Sequence, residues 1–587
     1  MTSTATFLVT FDDQPLPADV TALLASAYVD FSLRLPDTFM LRFRDPGRIV
    51  VDKSKVRMGT KVKISVATDS TPTPEPLLSG EVTAVEAVFD NTGSFTAIRG
   101  FDPTHRLFRG RHTTSYTQIT ASDAVTQVAQ RAGLTPGRVD STPTVFDHLG
   151  QCGQTDWEFL DTVARRVGFE LKMREDKLDF SARQPAEKAP SQATQTANPL
   201  VLRLGTDLLR FRGVVTAAEQ VAKVEVRGWD VAQKRKIVST VPAGTTSVEL
   251  PTLTPQNMAN AFGDPTYVAS DVAYRTQSEA DSAAGALAEE IGSSFAEVDA
   301  VARGNPKLRA DVSVMIENAG APFDGKYTIT TARHRYDVNS GGYTTAFSVT
   351  GRQERSLYGL AGGGGHAPGG FGVVIALVSD ANDPAGQGRV RLTFPWLSDE
   401  YVSDWARTVQ LGAGSSRGGL ILPEVGDEVL VAFEQGDPQR PYVLGGLHNG
   451  TDLPDAAGPS VIDGGSGAVN RRSLVSRRGH RIDLFDDEGR SDGVTAATGD
   501  GKLRVALDAA GSRIDVHSDG TVTVTGTRGV VVDAAGDKLE LKGREISITA
   551  AQSVSVKAPS IKVTADATAT VSASGPTVIQ GAPVKIN

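Results

Sequence analysis

Cysteine is nearly absent from the 587 residues, with Cys152 standing alone. An intrachain disulfide framework and any multi-cysteine zinc or iron–sulfur site are thereby excluded. Aromatic residues make up only 6%, so large ring-lined clefts are scarce. There is no basic excess either: 60 Lys and Arg stand against 69 Asp and Glu, a formal charge of −9. The electrostatic footprint of a nucleic-acid-binding protein is therefore missing. No run approaches ~18 apolar residues, the length of a membrane-spanning helix. The opening residues lack a basic segment followed by an apolar core, so no Sec-type signal is expected and the chain is read as made in the cytoplasm. What is plentiful is glycine, 60 residues, which favours a turn-rich, mainly β chain. At roughly 150 residues per domain, the length suits about four domains.

Two breaks divide the chain. Residues 356–372 form a glycine run that can hold no packed core and reads as a linker. A second turn-forming spacer spans residues 449–467. The expected domains are an α+β block at 1–355, the linker at 356–372, a small barrel at 373–449, a neck at 450–500 and a tail at 501–587. In the first block, Thr120 with Asp123, Thr155 with Glu158 and Ser278 with Asp281 announce three helices, with stops at Gly133, Gly168 and Gly292. The first two of these place an α/β insertion near 105–185. Val62, Ile64 and Val66 alternate with polar residues as a strand does, and a Pro/Thr turn is expected at 71–76. In the middle block, Val390, Leu392 and Phe394 and later Val429, Val431 and Phe433 alternate in the same way. Several short strands between glycine turns in about 80 residues suit an OB-like barrel.

The tail is the most informative stretch. From 501 to 587 there is no Phe, Tyr, Trp, Met or Cys, and turn residues recur about every eight positions. Between turns lie apolar pairs two residues apart: Ile514/Val516, Val522/Val524, Val530/Val532, Leu539/Leu541, Ile546/Ile548, Val554/Val556 and Ile561/Val563. A single-chain β-helix needs about 22 residues per coil, so this tail gives roughly four coils of thin core with open ends. Three chains wound together triple that core, and small aliphatic side chains suit a three-fold axis. We therefore expect a homotrimeric, intertwined β-helix with those fourteen residues as the trimer core.

Beyond spacing, particular residues resemble a known family. Asp383, Pro384, Gly386, Gly388, Arg389, Val390, Arg391, Phe394, Pro395 and Trp396 look like the OB signature of VgrG-type spikes and phage baseplate V proteins. So do Ser403-Asp404-Trp405, Leu422 to Val429, and Gly436-Asp437-Pro438 with Pro441. Pro36 to Phe39, Gly100 to Leu107, Gln154 to Leu160 and Gly325 to Thr328 resemble the phage late-control-D hub family. The resemblance covers essentially the whole chain. It implies two β-barrels in the hub, an OB-fold domain and a trimeric β-helix needle, forming the spike of a contractile injection system. The compact barrel and short tail look most similar to spikes of extracellular, phage-tail-like particles, with a type VI secretion VgrG next. The implied partners are two further copies, a hexameric inner-tube protein, baseplate proteins and a PAAR-repeat tip protein, with transient contact with the target membrane and no nucleic acid. The tip protein would sit on Val578, Ile579, Val584, Ile586 and Asn587. Assembly is expected in the bacterial cytoplasm, as part of an injection particle that stays inside or is released.

Enzymatic chemistry finds little support in the residues. Cys152 lies four residues from His148, but no third group orients them and the thiol is read as structural. Residues 380–386 begin like a calcium loop, yet Pro384 and Arg391 stand where ligands belong. Residues 412–417 lack the ending of a phosphate loop. His517 alternates with Ile514 and Val516 and is expected on the outer face, so no metal is assigned. The tail's eight acidic residues are balanced by ten basic ones. No catalytic, cofactor or metal site is expected. A glycan-degrading spike would need paired carboxylates in a cleft, and a receptor adhesin a distal knob.

Overall fold

The computed structural model describes residues 5–68, 71–174, 176–190, 198–338, 342–352, 372–487 and 490–586. The expected linker at 356–372 falls almost wholly outside them. The fold is mainly β, with 41% strand and 12% helix, in two compact units, Met1–Leu453 and Pro454–Asn587.

In the first unit, one eleven-stranded sheet joins the two halves of the hub. Leu24–Ser32 lies at its middle, antiparallel to Thr38–Arg44 on one side and to Thr331–Asp337 on the other. The alternation in Lys61–Thr68 holds: Val62, Ile64 and Val66 are buried while Lys61 and Lys63 face solvent. The Pro/Thr stretch at 71–76 is a correction. It is not a turn but the start of a long strand, Thr71–Asp90, paired with Lys61–Thr68. Prolines are tolerated there for two reasons. Pairing with Gly93–Phe101 begins only at Glu81, which leaves one edge of the proline stretch free of a ladder, and the register shifts twice beside it.

The α/β insertion forms around two helices, Ala121–Arg131 and Asp156–Val167. Thr120 accepts from the Asp123 N–H at 3.2 Å. Thr155 and Glu158 form a reciprocal capping box, and Gly168 closes the helix at φ +72°. The third helix corrects the sequence reading at both ends. It spans Gln277–Ser293 and is capped by Thr276, which accepts from the Glu279 N–H, not by Ser278. Gly292 does not stop it. That glycine lies inside the helix because a Cβ there would meet the Gly244 carbonyl oxygen at 2.2 Å.

The barrel is a five-stranded sheet ordered Arg391–Thr393, Val374–Asp380, Glu428–Phe433, Pro441–Gly446, Arg407–Thr408. Bridges Val390–Ala406 and Thr393–Val402 bring its two ends together. Ser403 helps to seal that seam: its N–H donates to the Leu392 carbonyl at 2.9 Å, and its Oγ accepts from the Leu392 N–H at 3.0 Å. Val378, Val390, Leu392, Phe394, Val429, Val431 and Val443 fill the interior.

The second unit contains a five-stranded antiparallel meander: Arg471–Val475, Arg481–Asp487, Ser491–Ala497, Leu503–Asp508 and Arg513–Ser518. The neck expected at 450–500 and the needle expected from 501 thus share one sheet. Charged residues at alternate positions (Arg481, Asp483) obscured the strands before residue 501 in the sequence. Beyond Ser518, no described residue belongs to a strand paired within the chain. No helix among the described residues is long and apolar enough to cross a membrane.

Candidate functional site

Two features concern function, a seam between hub and barrel and an open apolar surface along the tail. At the seam, the hub strand Val145–Gln154 lies against the barrel. Cys152 is not poised for chemistry. It is buried among the barrel's core residues, and burial pushes its thiol up to about 11. His148 serves the seam instead, placing Nε2 3.1 Å from the Val402 carbonyl oxygen. Burial lowers the basicity of this imidazole, which favours the neutral ring with Nε2 as donor. Two ion pairs tie the third helix and its lead-in to the barrel hairpin: Arg275 with Glu434 at 3.1 Å and Arg440 with Glu279 at 3.6 Å.

The calcium-like loop has its own explanation. The Asp383 carboxylate accepts from the Arg389 guanidinium at 2.7 Å and from the backbone N–H groups of Ala385, Gln387 and Arg389. These donors hold the carboxyl far below the usual carboxylate range. The oxygens a cation would take are occupied by Arg389. Residues 412–417 form a hairpin, with Ala413–Gly414 paired to Arg417–Gly418. Among the described residues no group of three or more His, Cys, Asp or Glu could hold a metal ion.

The tail supplies the assembly surface. Within Arg513–Ser518, Ile514 and Val516 lie on one face and Asp515 and His517 on the other, as strand alternation requires. His517 pairs with Asp519 at 3.1 Å in the open.

The fourteen residues expected as trimer core form no core within the single chain. Val522, Val530, Leu539, Ile546, Val554 and Ile561, the first members of their pairs, are 53–58% exposed. The second members, Val524, Val532, Leu541, Ile548, Val556 and Val563, are more open still, at 65–82%. Ile514 and Val516 stand at 70% and 59%. The physical reason is that residues past Ser518 have no paired strand in the chain and no second layer to lie against. The same holds at the expected tip site, where Val578, Ile579, Val584 and Ile586 are 47–86% exposed. Asn587 falls outside the described residues.

Singly exposed aliphatics are ordinary, but a regular line of them is the mark of an interaction surface. The open apolar face of residues 471–518 continues this line and was not read from the sequence. Its signal was the alternation Ile482, Leu484 and Leu503, Val505, Leu507, masked by the charges between.

Residues 374–448 match the type VI secretion system/phage-baseplate injector OB domain, and residues 50–337 match the Alg8 N-terminal domain. The chain is similar to the type VI secretion system spike protein VgrG3 of Vibrio cholerae, 35% identical over 109 residues, which are 18% of this chain and 10% of that protein. It is also similar to the actin cross-linking toxin VgrG1 of Vibrio cholerae, 39% identical over 71 residues, or 11% of this chain and 6% of that protein. The chain thus matches a tenth or less of the length of these curated relatives. The fold is shared with a chain of the Francisella PdpA–VgrG complex at a TM-score of 0.53 and 8% identity, covering 88% of each chain. Residues 374–448 thus carry the injector OB domain, the chain is similar to VgrG-type spike proteins over part of its length, and it shares its fold with a VgrG complex beyond that domain.

Proposed function

We propose that three copies of this chain form the central spike of a contractile injection system. The hub would join tube and baseplate, and the tail would pierce the target envelope when the sheath contracts. The observation that carries this is the line of paired aliphatics from Ile514 to Val563, 53–82% exposed and, beyond Ser518, without a ladder partner in the chain. Edge backbone and apolar surface of this extent are what proteins cover by association. Interchain ladders around an apolar axis would make a stiff rod, and the hub–barrel seam would pass load into it. The work is mechanical, and we read the chain as non-enzymatic. Supporting that, the thiol is buried and protonated, and Glu170 is tied to Arg183 at 3.0 Å in the hub.

The partners follow from this proposal: two further copies, a hexameric tube protein, baseplate proteins and a PAAR-repeat tip protein on the apolar end around Val578, Ile579, Val584 and Ile586. Assembly would take place in the bacterial cytoplasm. The compact barrel favours an extracellular particle, whereas the name of the VgrG3 relative favours a type VI machine. Light scattering on the purified chain tests the central claim. A mass near three times 61.8 kDa is expected, and a stable monomer at micromolar concentration would end it.

A further inference from the structure

Three parts of the first unit converge on a cleft of about 390 Å³, part of it open to solvent. The helix Asp156–Val167 ends there with Arg166 and Val167, and the hub strand Val145–Gln154 contributes Phe146. The lead-in to the helix Gln277–Ser293 adds Val272 and Tyr274. From the barrel comes Arg440, in the turn between Glu428–Phe433 and Pro441–Gly446. The walls are mostly apolar, and the volume lies at the small end of ligand pockets.

The two cations of this cleft are poorly served. Among the described residues Arg166 makes no ion pair. Arg440 turns Nε toward Asp437 at 3.4 Å and Nη2 toward Glu279 at 3.6 Å, but its Nη1 is buried without a hydrogen-bond partner. Burial lowers the basicity of Arg440, and the nearby guanidiniums of Arg275 and Arg166 lower it further. A buried donor without an acceptor is costly, and like charges facing one cleft repel. One anion would relieve both. Glu279 is already committed, since its Oε2 accepts from the Arg275 N–H at 2.9 Å. With two guanidiniums and this one carboxylate lining the cleft, a single further negative charge balances it, whereas a phosphate dianion would exceed it.

We propose that the cleft binds a carboxylate carried on an aromatic or branched aliphatic body. The carboxylate would lie between Arg166 and Arg440, and the body against Phe146, Val167, Val272 and Tyr274. A planar carboxylate matches the paired donors of a guanidinium, and the two ring walls suit an apolar group of similar width. The carrier is a free acid of about ten non-hydrogen atoms or the C-terminal residue of a protein chain, which present the same chemistry. Because Arg166 belongs to the hub and Arg440 to the barrel, the occupant bridges their seam. Binding only the joined state, it stabilises that state by mass action. The site is independent of the spike reading, and the failure of either leaves the other standing.

The test is calorimetric titration of the full chain with 3-phenylpropionate, standing for the free acid, and with acetyl-Gly-Gly-Phe, standing for the chain terminus. At least one should bind at one site per chain with a Kd below about 1 mM. The uncharged counterparts, 3-phenylpropanol and the peptide amide, should bind at least about tenfold more weakly. Arg166→Gln removes a side chain that no ion pair holds, so the variant should melt as wild type does while losing about tenfold or more in affinity. Saturating probe should raise the melting temperature of wild type and leave that of Arg166→Gln unchanged. Tighter binding of 3-phenylpropionate assigns the site to a free acid, and tighter binding of the peptide assigns it to a chain terminus; either upholds the proposal. No binding of either probe at about 10 mM, equal affinity for charged and uncharged probes, or a Kd unchanged by Arg166→Gln would overturn it.

Discussion

The imidazole of His148, on a hub strand, meets the main-chain oxygen of Val402, on the barrel, at 3.1 Å across 254 residues of sequence. Around it, Cys152 enters the barrel core, and Gly150 passes so close to Tyr401 that a Cβ would stand 2.7 Å from the phenol oxygen. Hub and barrel are thus one packed body along this strand.

Gly150→Val should therefore wedge the seam. Overpacking of this kind costs about 1–3 kcal/mol, readable as a lower urea midpoint with an unchanged slope. Gly445→Ala, in the barrel where nothing lies within 4 Å of the added carbon, should change the midpoint little. Equal midpoints for Gly150→Val and wild type would show that the seam yields freely.

A pH dependence follows from His334. Its Nε2 lies 2.8 Å from the Leu308 carbonyl oxygen and its Nδ1 2.6 Å from the Tyr343 hydroxyl, in full burial. That arrangement suits a neutral ring that donates from Nε2 and accepts at Nδ1. Burial pushes its pKa down to about 3, from an ordinary 6.5. Below pH 6.5 the unfolded chain takes up a proton that the folded chain refuses. Stability is therefore complete above 6.5 and lost as pH falls toward 3, by roughly 1.4 kcal/mol per pH unit. Burial alone would raise Glu170, but Arg183, Arg34 and Arg352 outweigh it and hold the carboxyl at about 2, so a similar loss is added only below its ordinary 4.5. Between pH 6.5 and 5 this histidine should cost about 2 kcal/mol, alongside His148, which burial also depresses, and against Asp37 and Asp102, whose carboxyls burial raises so that they act in the opposite sense; the difference between wild type and His334→Gln in urea titrations isolates it. His334→Gln should flatten that slope. An unchanged slope in the variant would assign the dependence to other groups.

Asp383 should prove structural to the barrel. Removing the carboxylate in Asp383→Ala strips three backbone donors and Arg389 of their acceptor, and hydrogen bonds to charged groups contribute ~1.5–3 kcal/mol each. A loss of about 2–3 kcal/mol is expected, with Asp383→Asn intermediate. Calcium should leave the wild-type melting curve where it is. A calcium-dependent rise would show that the ion displaces Arg389.

Much of this molecule was legible in the chain. The capping box at Thr155 and Glu158, the alternation at Val62 to Val66, the barrel motif around Asp383 and the period of the tail are local signals. Each depends on residues close in sequence, where backbone geometry and capping leave few alternatives. The tail's division into apolar and polar positions was likewise set by alternation, since Ile514 and Val516 can share a face only if Asp515 and His517 take the other.

Only the tertiary structure decided the rest, because long-range neighbours carry no local trace. Pro72, Pro74 and Pro76 spell a turn in isolation, yet a partner strand on one side and a free edge on the other make them a strand. Gly292 resembles a helix stop, but the Gly244 carbonyl beside it is why no side chain fits. Ser278 was expected to cap the third helix, but Thr276 does so, accepting from the Glu279 N–H. The pairs Val524, Val532, Leu541, Ile548 and Val556 belong to are periodic in sequence, but how little one chain can cover them is visible only in three dimensions. The meander at 471–518 was hidden because its polar positions are satisfied by residues 455–457, which lie 14 to 26 residues upstream of their partners. Its open apolar face became visible only once register placed Leu484, Val494, Leu507 and Ile514 side by side.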